Sequence, residues 1–144
     1  MIGHKYALYL LLLCGSCTSE KQSNTNSAHI QSLIAHINDD YDNLHPEYTP
    51  AVEDLIRIGM PALKHGVLDL LLSDSEETRY HAEAVLSDVS SELYGFHSGR
   101  GWQDPSGQEE WKRLWGKMGY SYKASPEVRK SAYLRWQKWL QEQK

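Results

Sequence analysis

Apolar residues recur at helical spacing along most of the chain. Ile30, Leu33, Ile34, Ile37, Tyr41 and Leu44 fall at i, i+3, i+4, i+7, i+11 and i+14, one stripe of an amphipathic helix. Ser27 can cap its start, and His45-Pro46 stops it, because the residue before a proline avoids helical geometry. Thr49-Pro50 predicts a second helix with Val52, Leu55 and Ile56 inside and Gly59 at its end. Pro61 opens a third, expected to run to about Leu72, with Gly66 in its middle as a close approach or a tolerated cost. Asp74 followed by Glu77 has capping-box spacing and predicts a fourth helix with Ala82, Val85, Leu86, Val89 and Leu93 buried. The pattern breaks over 95–107, a glycine-rich loop. Ser106 and Glu109 then suggest a cap for a helix bearing Trp111, Leu114, Trp115 and Met118 and closed by Gly119. Ser125-Pro126 caps the last helix, with Val128, Ala132, Trp136, Trp139 and Leu140 on one face. No alternating strand pattern of useful length interrupts this, so the expected fold is all-α.

The N-terminus has a different logic. One lysine, Lys5, precedes the apolar run YALYLLLL (6–13), which is followed by Cys14, Gly15, Ser16 and Cys17. Basic start, apolar run and small residues at a cut are the layout of a secretory signal. The run is far below the ~20 residues that span a bilayer as a helix. Gly15-Ser16-Cys17 resembles the lipobox of bacterial lipoproteins, with Cys14 where that family usually has leucine. The resemblance implies removal of 1–16, lipidation of Cys17, and localisation at the bacterial cell membrane or outer membrane. Residues 17–27, polar and nearly free of apolar side chains, read as a tether, and 28–144 as one helical domain. A Cys14-x-x-Cys17 redox pair is the weaker reading, since that motif belongs at a helix start after a strand.

The segment from Val52 to Leu63, VEDLIRIGMPAL, followed by Leu68 to Leu72 and then by Asp74, Arg79, Ala82, Ala84 and Leu86, resembles a HEAT-type helical repeat. The resemblance covers roughly residues 49 to 93 and implies a scaffold that binds proteins on helix faces and has no built-in chemistry. Solenoids of this class usually need at least three repeats, and only about one and a half can be counted here. The architecture is therefore either a short HEAT-like hairpin array or a compact helical bundle.

Composition changes the picture in two places. The 144 residues carry a formal charge of −4, but unevenly: Thr18 to Gly99 hold 14 acidic and 4 basic residues, Trp111 to Lys144 hold 2 acidic and 9 basic. Basic C-terminal helices packed against or near an acidic body are the plain reading, and a basic patch for anionic lipid headgroups or another anionic partner is the functional one. A chain-wide basic surface, the mark of most nucleic-acid binders, is absent. Four tryptophans sit at core spacing, whereas Trp102 lies among glycines beside Arg100, Gln103 and Asp104. These four residues are the candidate ligand or partner contact, against the alternative that Trp102 plugs the core. Six histidines remain outside 1–16. His29 and His36 are two turns apart, too far for one zinc without a third element, and His81 and His97 lie elsewhere. Asn38 to Asp42 lacks the glycine and glutamate of a calcium loop and reads as a solvated helix end. No nucleophile elbow, phosphate loop or His-Glu-x-x-His motif occurs. The expectation is a non-enzymatic module without a cofactor that binds a protein partner in the cell envelope, with glycan or cell-wall binding through Trp102 as the alternative.

Overall fold

The computed structural model describes residues 17–40 and 44–143. The signal segment 1–16 and the Tyr41 and Asp42 positions of the readings above lie outside the described residues. The fold is an all-α compact helical bundle with one miniature hairpin. Its elements are α1 (Cys17–Ala35), α2 (Pro50–Ile58), α3 (Met60–Ala62), α4 (Glu76–Glu92), β1 (Phe96–His97), β2 (Gly101–Trp102), α5 (Pro105–Met118) and α6 (Pro126–Glu142).

Helix α1 starts at Cys17, so Ser27 lies inside it and caps nothing. The stretch 17–27 has no glycine or proline to stop a helix that the apolar stripe supports further on. At the other end α1 stops at Ala35, not at His45, and Leu44 is 84% exposed. The side chains just beyond the end offer the backbone other partners. His36 Nδ1 meets the Asp39 carboxylate at 2.8 Å, and the Thr49 hydroxyl donates to the Ile37 carbonyl at 2.9 Å. Thr49, fully buried, also accepts from Val52 N, so one side chain ties the end of the α1 region to the start of α2.

The predicted helix over 61–72 is broken. After α3 a wide turn covers Leu63–Val67, and a tighter 3₁₀ helix covers Leu68–Leu72. The cause is Gly66, at φ +136°. A Cβ there would stand 3.0 Å from Ile34 Cδ1 and 3.1 Å from Gln31 Nε2. Gly66 therefore marks both a backbone conformation that favours glycine and the close passage of α1. Gln31 Nε2 donates to the His65 carbonyl at 2.6 Å, satisfying a group that the break frees.

Two caps shift by a residue or two. Ser75, not Asp74, caps α4 by accepting from Thr78 N. Asp74 instead offers its carbonyl, with that of Ser73, to Arg79 Nη1, while Arg79 Nε donates to the Tyr122 carbonyl. Asp104, not Ser106, caps α5. Thr49, Gly59, Gly119 and Ser125 stand at the helix ends where the pattern puts them.

The core joins Ile30 and Ile37, Val52 and Leu55, Leu63, Val67 and Leu71, Ala82, Val85, Leu86 and Val89, and Trp136 with Trp139 and Leu140. α1 and α2 pack on each other; segment 60–72 with α4 forms the middle; α6 packs on Leu68–Leu72 and on α5. Besides Leu44, three residues expected inside are exposed: Leu93 beyond the end of α4, Leu72 at the end of the 3₁₀ helix, and Val128 in the first turn of α6. Each sits at an element end, where the stripe overruns its neighbour. Among the described residues no helix is long and apolar enough to cross a membrane.

Candidate functional site

The glycine-rich stretch is a folded hairpin. Phe96 pairs with Trp102 and His97 with Gly101, in antiparallel register. Gly95, Gly99 and Gly101 all take positive φ, which lets so short a turn close. Gln103 N donates to the Gly95 carbonyl at 3.1 Å and shuts the base of the loop.

The four candidate contact residues have unlike surroundings. Trp102 is half-buried between the Phe96 ring, 5.4 Å away, and the Trp111 ring, 5.8 Å away. It clamps the hairpin to α5. Asp104 accepts from Ser106 N at 2.9 Å and from the Ser106 hydroxyl at 2.6 Å, and these hydrogen bonds hold its carboxyl below the usual range. Gln103 Nε2 donates to the Gly101 carbonyl. Arg100 stands exposed at the hairpin tip, with its backbone N–H on the His97 carbonyl.

From Trp102 the aromatic contacts run on. Trp111 is 5.3 Å from Trp115, Trp115 is 5.4 Å from Trp136, and Trp136 stands edge-on to Trp139 at 5.1 Å. Six rings thus connect a surface hairpin to the core. Trp111 Nε1 donates to the buried Ser90 hydroxyl at 3.0 Å, which fixes α5 on α4. The join is tight because Gly107 meets Tyr94: a Cβ on Gly107 would lie 2.0 Å from the Tyr94 carbonyl oxygen.

Buried polar groups fasten loops to helices. His81, 1% exposed, has Nε2 at 2.9 Å from the Pro46 carbonyl and Nδ1 at 2.8 Å from the Asn38 carboxamide, which also meets the Thr78 hydroxyl. The ring thereby holds the two sides of the 38–46 connection. Tyr120 OH donates to the Leu71 carbonyl at 2.9 Å, and burial pushes that phenol up. Glu83 accepts from Tyr122 N, yet burial raises its carboxyl more than that bond lowers it. Asp88 is raised for the same reason despite accepting from Tyr48 OH, and burial with the Asp88 charge pushes Tyr48 up to about 12. Raised carboxyls are a feature of catalytic sites. Here each is engaged in a fastening bond.

A cavity of about 360 Å³ forms an open groove between 63–69 and α6. Tyr133 OH donates to Asp69 at 2.8 Å across it, Gln137 Nε2 reaches the Tyr133 hydroxyl, and Lys64 Nζ lies 3.4 Å from the Gln143 carbonyl. Sequence reasoning missed this groove. Tyr133, Gln137 and Gln141 do share one side of α6, but nothing in the pattern pairs them with Lys64 and Asp69, more than sixty positions away.

The histidines do not converge. His29 and His36 are exposed on and just after α1, His81 is inside, and His97 is exposed on β1. Among the described residues no three His, Cys, Asp or Glu side chains are placed to hold a metal ion. Asp39 and Asp40 are exposed beyond α1, at the start of the connection to α2. The chain matches no family profile, no curated protein and no solved structure at a significant level.

Proposed function

We propose that this chain is a lipid-anchored helical interaction module of the bacterial cell envelope that binds a protein partner through its helix faces and does no chemistry of its own. The observation that carries the reading is the division of labour among polar groups. The buried residues Thr49, Arg79, His81, Ser90 and Ser91 bond to neighbouring carbonyls, hydroxyls or amides of the fold, and Arg129 Nε and Trp136 Nε1 are the buried side-chain atoms without such a bond among the described residues. Among the exposed charges of α5 and α6, by contrast, Glu110, Arg113, Lys117, Lys130, Lys138 and Glu142 stand outside such bonds, while Glu109, Lys112, Glu127 and Arg135 are engaged in them. A surface rich in uncommitted charge over a well-fastened core suits recognition more than catalysis.

The anchor rests on the Gly15-Ser16-Cys17 resemblance. The scaffold role rests on the HEAT-like segment 49–93, whose α2, 60–72 and α4 pack side by side as consecutive helices. The test is cell fractionation with intact-mass measurement. The reading expects a chain beginning at Cys17, heavier than its sequence by a lipid and sedimenting with membranes, and a Cys17→Ser form that is neither cut nor retained in the same way. A soluble, unmodified wild-type chain would refute the anchor.

A second reading, a glycan or cell-wall ligand, is favoured by the run of half-buried indoles Trp102, Trp111 and Trp115 next to exposed Arg100, since flat rings at a surface can stack on sugars. Titration of tryptophan fluorescence with wall fragments separates the two. A response lost in Trp102→Ala supports the glycan, and no response removes it.

A further inference from the structure

The charges of the chain are divided between two flanks that do not neutralise one another. α1 and α2 form one flank, where Asp39, Asp40, Glu47, Glu53 and Asp54 stand against Arg57. α5 and α6 form the other, separated from it by segment 60–72 and α4. On α6, Lys130, Leu134 and Lys138 make one outward row at i, i+4 and i+8, and on α5 Arg113 and Lys117 are exposed four residues apart. Leu134 is 53% exposed and Val128, at the start of the same helix, 47%.

The ion pairs among the described residues are His36–Asp39, Arg57–Asp54 and Lys112–Glu109, each spanning three positions of one segment. None crosses from one flank to the other. Arg129 and Arg135 are occupied by the carbonyls of Ala124 and Met118, Lys112 by Glu109 and Lys123 by the Tyr122 ring, so among the described residues of this flank the uncommitted cations are Arg113, Lys117, Lys130 and Lys138.

We propose that the α5–α6 flank docks on the α1–α2 flank of a second copy of this chain, head to tail. The two surfaces have opposite sign, and a molecule carrying both is complementary to itself. Leu134 supplies apolar contact between Lys130 and Lys138, which face Glu53 and Asp54 of the next copy. Such a contact is heterologous, so it continues into rows unless the rotation closes a ring. Flanks of the same sign repel, which disfavours a two-fold dimer through either one. The proposal rests on the interaction-module reading and names its partner.

The test is sedimentation velocity on the purified chain carrying Cys17→Ser, so that no lipid drives association. At low salt, about 10 mM, where screening reaches about 30 Å, the average mass should rise with protein concentration. Near 1 M, where it falls to about 3 Å, the chain should return to monomer. Lys130→Glu with Lys138→Glu should give monomers at low salt, and so should Glu53→Lys with Asp54→Lys. Mixing the two variants should restore association, because each then offers the flank that the other lacks. Lys130, Lys138 and Glu53 are exposed and Asp54 is half-buried beside Arg57, and unchanged far-UV circular dichroism shows that the variants fold. A monomer at every concentration in low salt overturns the proposal. So does association that survives both double substitutions, or a monomer whose lysine flank binds only anionic phosphatidylglycerol vesicles. A monomer that crosslinks to a different envelope protein in cells overturns it too, while leaving the interaction-module reading intact.

Discussion

Gly107→Ala is the sharpest test of how the hairpin and α5 are joined to the bundle. Gly107 lies in the first turn of α5, and its added Cβ would come within 2.0 Å of the Tyr94 carbonyl oxygen and 3.2 Å of the Tyr94 carbonyl carbon. Carbon-to-oxygen contacts are ordinarily no closer than about 3.3 Å, so the two backbones must part by more than about 1 Å. No side-chain rotation can relieve this, because both atoms belong to the backbone. A shift of that size pulls Trp111 from Ser90, now at 3.0 Å, and loosens its 5.8 Å contact with Trp102. Overpacking costs typically 1–3 kcal/mol, and the loss of a hydrogen bond to a buried hydroxyl adds to it, so about 3 kcal/mol is expected. At a few degrees per kcal/mol for a chain of this size, Tm should drop by about 10 °C. Urea unfolding followed by tryptophan fluorescence measures it. Gly116 is the control within the same helix: nothing lies within 4 Å of its would-be Cβ, so Gly116→Ala should stabilise by up to about 1 kcal/mol. If Gly107→Ala is no more harmful than Gly116→Ala, the tight join between Tyr94 and α5 is wrong.

Three further outcomes are expected. Arg79→Lys should cost about 2–3 kcal/mol, because a lysine cannot reach the carbonyls of Ser73, Asp74 and Tyr122 together; chemical denaturation reads the loss, and an unchanged midpoint would refute the clamp. Glu83 is held protonated more readily in the fold than in the unfolded chain, so wild-type stability should fall as pH rises from 4.5 through its raised folded value; Asp88, also raised, adds to that fall, so Glu83→Gln should show a shallower slope and be the more stable protein at neutral pH, and an equal slope in variant and wild type would contradict this. Tyr48 keeps its proton in the fold up to about 12 while the unfolded chain loses it near 10, so stability should fall between pH 10 and 12, by less in Tyr48→Phe than in wild type; equal losses in a pH series of unfolding curves would count against the Tyr48–Asp88 contact.

Much of the helical framework could be read from spacing. The apolar stripes put Ile30, Leu55, Leu86 and Trp136 inside, and Thr49-Pro50, Gly59, Gly119 and Ser125-Pro126 mark helix ends because their chemistry acts locally. The misreadings have non-local causes. Gly66 breaks its helix because α1 passes beside it. The helix through Leu44 ends early because Thr49, twelve positions beyond Ile37, takes that residue's carbonyl. Asp104 and Ser106 compete for one cap, and the hairpin that closes at Gln103 leaves Asp104 next to the first helical turn. At the candidate site, sequence could single out Trp102 by its glycine-rich setting but not its clamping between Phe96 and Trp111. Nor could spacing reveal the Asp69–Tyr133 groove or the His81 fastening, whose partners come from distant segments.

The claim that this protein works through its surface is tested most directly by photocrosslinking in living cells from one outward and one inward position of α6. A photoreactive residue at Lys138, exposed among uncommitted cations, should give a discrete protein adduct recoverable from the membrane fraction, and one at buried Ala132 should give only crosslinks within the chain. Adducts from neither position, with the chain present and folded at the membrane, would contradict the account.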